Sequence, residues 1–126
     1  MMTWSVFTMI LFSVSCSAIA QILLKYGMAN PAMQQALAGG DSLHIARSIA
    51  SDLPIIGGFF LYGLGAVIWL FVLARLDVSV AYPFVALGFI LTMALGCLVF
   101  GEVLTVRKIM GTLIVATGIY LVATTP

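Results

Sequence analysis

Long apolar runs alternate along the chain with short polar breaks, the pattern of helices that cross a bilayer and turn back. The first run covers about residues 4–28 and carries Gln21, Lys25 and Tyr26 towards its end. A polar stretch, 29–53, follows, with Asn30-Pro31, Gly39-Gly40, Asp41, Arg47 and Asp52. Three further apolar runs occupy about residues 54–76, 78–100 and 106–123, separated by little more than Arg75 to Asp77 and Gly101 to Thr105. Crossing the hydrocarbon takes about 20 residues at about 1.5 Å each. The pattern therefore predicts an all-α membrane protein, a single transmembrane domain over residues 1–126 with four transmembrane helices.

Local signals refine this picture. Leu43, Ala46, Ile49, Ala50 and Leu53 recur at helical spacing after Asp41-Ser42, which predicts an interfacial helix in the first loop, lying on the membrane surface. Pro54 suits the first turn of the second span. Pro83 falls near the start of the third, where neighbouring helices satisfy the freed carbonyl. Thr105 suits the cap of the fourth. Short connections predict that consecutive helices are antiparallel neighbours. The first run is too long, and too polar at its end, for a cleaved signal peptide and is expected to be retained.

Composition agrees with this reading. Of 126 residues, 63% are hydrophobic and 7% charged, with a mean hydropathy of +1.25, where a soluble domain carries about 25% charged residues. Four spans and one loop fill the length, so no separate soluble catalytic or nucleic-acid-binding domain is expected. A net charge of +1 also argues against nucleic acid as a partner, since such binding needs a concentrated basic surface. Cys16 and Cys97 lie inside apolar runs, and the lone His44 lies in the loop. No disulfide, metal site or cofactor is expected from them.

Lys25, Arg47, Arg107 and Lys108 fall on one side of this topology and Arg75 alone on the other. The positive-inside tendency then places the first and third loops in the cytoplasm and both termini outside.

The candidate chemistry is sparse. An ionisable residue in mid-span is by default functional, yet the middle of every span is empty of Asp, Glu, Lys, Arg and His. A proton-coupled cation exporter needs an embedded carboxylate whose pKa the low dielectric raises. Glu102, just beyond the third span, is the nearest acid; its alternatives are coupling or an interfacial pairing with Arg107 or Lys108 across the turn. In the first span, Ser13, Ser17, Gln21 and Lys25 form a stripe at steps of four. Serines in membranes commonly serve packing, but Gln21 followed by Lys25 suits an uncharged polar group attached to a phosphate. Lys25 equally suits snorkelling to lipid phosphate. Ala81, Val85, Gly88, Thr92 and Gly96 share a face of the third span, open to a helix or a lipid chain. Tyr82 is either a head-group hydroxyl or an interface anchor. Gly58, Tyr62, Gly65 and Trp69 share a face of the second span and are expected to pack on the third. Gly111 and Gly118, two turns apart in the fourth, suggest a helix seam, within one chain or between two.

Several segments are familiar together: Ala20-Gln21 with Leu24-Lys25, Leu76 to Pro83 entering the third span, Phe100 to Leu104, and the Gly111/Gly118 pair. In order and spacing, over nearly the full length, the chain resembles the four-helix members of the drug/metabolite transporter superfamily. Small multidrug resistance exporters have a glutamate eight residues before the lysine, where this chain has Ser17, and a tryptophan three residues after the tyrosine, where it has Val85. The Ala-Tyr-Pro entry and the Gln before Lys look more like the subunits that flip aminoarabinose-linked undecaprenyl phosphate. The long first loop departs from the compact small multidrug pattern.

The resemblance implies a transporter rather than an enzyme: a flippase subunit moving a polyprenyl-phosphate-linked sugar between leaflets of the bacterial inner (cytoplasmic) membrane. Gln21, Lys25 and Tyr82 carry over as head-group contacts, and Ser17, Glu102 and Arg107 complete the candidate substrate-binding set. Four helices are few to enclose a head group, so a homodimer, or a heterodimer with a related four-helix subunit, is expected, with Gly111 and Gly118 as its candidate packing positions. The rival readings are a proton-coupled small multidrug or polyamine exporter using Glu102, and a non-transporting membrane partner subunit.

Overall fold

A computed structural model describes residues 2–125. Helix α1, Trp4–Met28, begins where the Thr3 side chain accepts a hydrogen bond from the Val6 amide at 3.3 Å. It ends where Asn30-Pro31 cannot continue it. The same dipeptide starts α2, Pro31–Gly39: Asn30 accepts from the Ala32 amide at 3.0 Å and Pro31 occupies the first turn. Gly40, at φ 71°, closes α2 in the left-handed conformation that glycine adopts most readily.

Asp41 caps α3, Ser42–Ser51, accepting from the Leu43 amide at 3.1 Å. Asp52 ends α3 and caps α4, Leu53–Leu73, accepting from the Ile55 amide at 3.1 Å. The first loop therefore holds two short helices where the sequence pattern predicts one. The residues around Asn30-Pro31 read as a break, but they are also a helix start.

The third span is interrupted. Helix α5, Val78–Ala81, passes through a 3-10 turn, Tyr82–Phe84, into α6, Val85–Phe100. Pro83 sits in that tighter turn, at a position that needs no proline amide. Helix α6 stops at Gly101, φ 64°, and α7, Val106–Ala123, starts under a Thr105 cap that accepts from the Lys108 amide at 3.2 Å. The long apolar helical stretches are Trp4–Met28, Leu53–Leu73, Val78–Phe100 and Val106–Ala123. Only the second differs appreciably from the expected 54–76, because Ala74 to Leu76 form a turn.

One end of the bundle holds the main core: Val6, Ile10 and Val14 of α1 pack with Val72, Leu76, Ala81, Phe84 and Ile119. Burial then falls along the chain, from 39% of the most apolar window in the first span to 22%, 11% and 6% in the following three.

The α1–α4 seam explains that gradient. A Cβ at Gly65 would lie 3.0 Å from the Ser13 carbonyl oxygen, and one at Gly58 3.2 Å from that of Ala20. The two backbones approach this closely because neither position has a side chain. The buried Ser13 hydroxyl donates to the Gly65 carbonyl at 2.7 Å across the same seam. The expectation that Gly58 and Gly65 pack on the third span is thus corrected: α1 takes them, since its Ser13, Cys16 and Ala20 are small enough to admit a second backbone. Helix α6 meets α1 at Gly88, where a Cβ would be 3.4 Å from Val14.

Candidate functional site

The antiparallel order brings the C-terminal ends of α1 and α6 to one end of the bundle with the N-terminal ends of α4 and α7. Lys25, in the last turn of α1, also gains from the negative end of that helix. Its ammonium donates to Glu102 Oε1 and sits 4.9 Å from the centroid of the Phe100 ring.

Glu102 reaches this position through a specific backbone path. Gly101 turns left-handed, the Glu102 amide bonds back to the Gly96 carbonyl at 3.4 Å, and the carboxylate folds over Gly96 itself. A Cβ on residue 96 would lie 2.8 Å from Glu102 Oε2, so the seat exists only because that residue is glycine. The hydrogen bond from Lys25 holds the Glu102 carboxyl below its ordinary value of 4.5, aided by the charges of Lys25 and Lys108 and opposed by desolvation. The side chains of Lys25 and Glu102 remain 51% and 36% exposed.

This corrects the pairing expected across the turn. Lys108 instead donates to the Val103 carbonyl at 3.0 Å. Arg107 is exposed in the first turn of α7 and, among the described residues, forms no ion pair. Glu102 also lies outside the membrane-crossing helices, in contact with a cation.

A second polar feature is a groove of about 240 Å³ shared by α1, α4 and the third span. Ser17, Tyr62, Trp69 and Tyr82 are among its lining residues. Ser17 donates to the Ser13 carbonyl at 3.1 Å, so its hydroxyl is engaged on its own helix. Tyr82, at the 3-10 turn, is exposed. Gln21 lies on α1 between Ser17 and Lys25, exposed and outside this groove. The structure therefore divides the expected residues: Lys25 meets Glu102 at one end, Ser17 and Tyr82 share the groove, and Gln21 and Arg107 stand apart.

Gly111 and Gly118 face open space: a Cβ at either would meet nothing within 4 Å. Neither makes a seam inside the chain. Cys16 and Cys97 are free thiols.

Sequence reasoning missed Phe100 and Gly96 as partners of this end. The signal was present, since a four-helix antiparallel order places residues 25, 96–102 and 108 together, but the direction of the Glu102 side chain depends on the turn at Gly101.

No protein-family model and no solved structure matches the chain. Curated relatives do. The chain is 31% identical over 116 residues to the 4-amino-4-deoxy-L-arabinose-phosphoundecaprenol flippase subunit ArnF of Photorhabdus laumondii, covering 90% of this chain and 92% of that protein. It is 32% identical over 114 residues to the subunit of the same name in Serratia proteamaculans, covering 87% and 85%. To the 4-amino-4-deoxy-L-arabinose-phosphoundecaprenol flippase subunit ArnE of Pseudomonas syringae it is 41% identical over 58 residues, 46% of this chain and 54% of that protein.

Proposed function

The chain belongs to the family of 4-amino-4-deoxy-L-arabinose-phosphoundecaprenol flippase subunits, and from that premise we propose that it moves a polyprenyl-phosphate-linked aminosugar between the leaflets of a bacterial inner membrane. The observation that carries this reading is the placement of its charges. The four apolar helices hold no acid or base at mid-depth, and the Lys25–Glu102 pair stands at one surface. A lipid phosphate finds a cation there without any charge having to be stripped of water inside the bilayer. The tail remains in the lipid phase throughout.

Lys25 contacts the phosphate in this proposal, Gln21 and Ser17 mark the stripe the sugar follows, and Tyr82 receives it at the far end. Arg107 adds a second cation at the surface. A proton-coupled exporter fits less well, because Glu102 lies outside the spans and is held ionised by Lys25. The first and third loops face the cytoplasm, as the Lys/Arg bias suggests.

The protein acts as a dimer, with a second copy or with a related four-helix subunit. Both names found among its relatives are names of subunits, and α7, with Ile119 as its only buried residue, offers an uncovered face at Gly111 and Gly118. Crosslinking of Gly118→Cys in membranes is expected to give a covalent dimer; a strictly monomeric product removes the dimer.

Reconstitution into vesicles with a labelled aminoarabinose lipid, alone and together with a companion subunit, tests the function. Movement of the label between leaflets is expected. No movement in either preparation overturns transport in favour of a purely structural subunit.

A further inference from the structure

A groove of about 430 Å³ runs between α6 and α7 from the end that holds the ion pair. Phe89, Met93 and Val115 give it apolar walls, and Glu102 and Lys108 stand at its mouth. Glu102 is seated there on Gly96, with Lys25 on one of its oxygens and Lys108 close enough to lower its pKa. The mouth thus combines one carboxylate with two ammonium groups above an apolar trough. That is the charge complement of an amphiphile whose head carries both an ammonium and a phosphate.

Resting on the flippase reading, we infer that Lys25–Glu102 is an internal counter-ion pair that opens for the head of an aminosugar phosphate lipid: Glu102 takes the ammonium, Lys25 and Lys108 take the phosphate, and the start of the tail enters the α6–α7 groove. One ion pair becomes two, so neither the Glu102 carboxylate nor the lipid phosphate is left without a cation beside the apolar walls. Opening is cheap because both side chains are partly hydrated, at 51% and 36% exposure. The Phe100 ring beneath Lys25 keeps the ammonium in place while its carboxylate partner is engaged elsewhere. A sugar phosphate without the amine would set a second anion beside Glu102, and the two would compete for Lys25 and Lys108. The carboxylate is therefore the specificity determinant for the amine, and Lys25 serves any phosphate lipid.

The test uses the full chain in phosphatidylcholine nanodiscs and two probes: undecaprenyl phosphate bearing 4-amino-4-deoxy-L-arabinose with its amine free, and the same lipid N-acetylated. The native chain is expected to prefer the free amine by about tenfold or more, the value of one charge-assisted contact. In Glu102→Gln the two affinities converge. Equal affinities in the native chain, or a preference retained in the variant, overturn the inference.

An arm that needs no variant guards against misfolding. Carbodiimide is expected to join Lys25 to Glu102 in the lipid-free chain, and the free-amine lipid, but not the acetylated one, replaces that crosslink with its own amide to Glu102. A Lys25–Glu102 crosslink unchanged by the free-amine lipid sinks the proposal. Exchange of phosphatidylcholine for phosphatidylethanolamine is expected to leave the preference intact; its loss would mean that the mouth takes bulk zwitterionic lipid instead. Transport in vesicles without amine preference removes this inference alone, whereas amine preference without transport removes the flippase reading alone.

Discussion

Two regions of this small bundle use glycine in opposite ways. Along α1 and α4, Gly58 and Gly65 let two backbones close to near contact, and the buried Ser13 hydroxyl ties the seam to the Gly65 carbonyl. Along α7, Gly111 and Gly118 are just as regularly placed, yet nothing approaches either. The first pair is the solid part of the protomer, with 39% of the α1 window buried; the last helix, at 6%, packs mainly against α6 and the 3-10 turn. A glycine stripe marks a place where something can come close. Whether anything does is decided by the residues opposite, and small ones such as Ser13 and Cys16 admit a helix.

The largest effect should come from closing the tight seam. Gly65→Val drives two methyl groups towards the Ser13 carbonyl, which would lie 3.0 Å from the Cβ alone. Overpacking of this kind costs about 1–3 kcal/mol or more, read as a fall in the unfolding midpoint in detergent. An unchanged midpoint would mean that α1 and α4 are not in backbone contact.

Ser13→Ala removes the 2.7 Å hydrogen bond across the same seam. Interhelical hydrogen bonds in membranes are worth about 0.6 kcal/mol on average, at most about 1.7, so a small but measurable loss is expected. Ser17→Ala should lose less, because that hydroxyl bonds within its own helix.

The contrast sharpens at α7. Gly118→Ala, whose Cβ meets nothing, should leave the unfolding midpoint of an isolated protomer where it is, or raise it slightly through helix propensity. If the face pairs with a second subunit, the same change weakens the dimer, and crosslinking yield falls while the protomer stays folded. A destabilised protomer would show that α7 packs inside the chain after all.

The smallest effect concerns the ion pair. The Glu102 carboxyl is depressed below 4.5 in the folded chain, chiefly by the Lys25 hydrogen bond. The stability it contributes is therefore complete above that value and is lost as the pH falls through the depressed one. Unfolding midpoints attributable to this pair should be flat from about pH 8 to pH 5 and decline only in acid. Comparison of the native chain with Lys25→Met across that range checks it: a difference that changes near neutrality would contradict the assignment.

Much of this architecture was legible in the sequence because hydrophobicity and helix length are local quantities. The apolar runs located the four spans, Pro54 and Thr105 marked the starts of the second and fourth, and Asp41 marked the start of the interfacial helix. Asn30-Pro31 was harder, since the same dipeptide ends one helix and begins another. The Ser13 to Lys25 stripe was visible as a stripe, but not the separate fates of its members: Ser13 in a seam, Ser17 in a groove, Gln21 exposed and Lys25 in an ion pair.

By itself the sequence determined that the chain crosses a membrane four times, that its charges stay near the surfaces, and, through its resemblance, the kind of protein it is. These follow from the cost of burying charge and from the fixed rise of a helix, which need no knowledge of neighbours. Only the tertiary structure decided which glycines are used, that Gly58 and Gly65 belong to α1, and that Glu102 turns to Lys25 rather than to Arg107 or Lys108. Those outcomes depend on what stands opposite each residue. A left-handed turn at Gly101 and a missing side chain at Gly96 settle the last of them, and neither effect can be read from residue 102 alone.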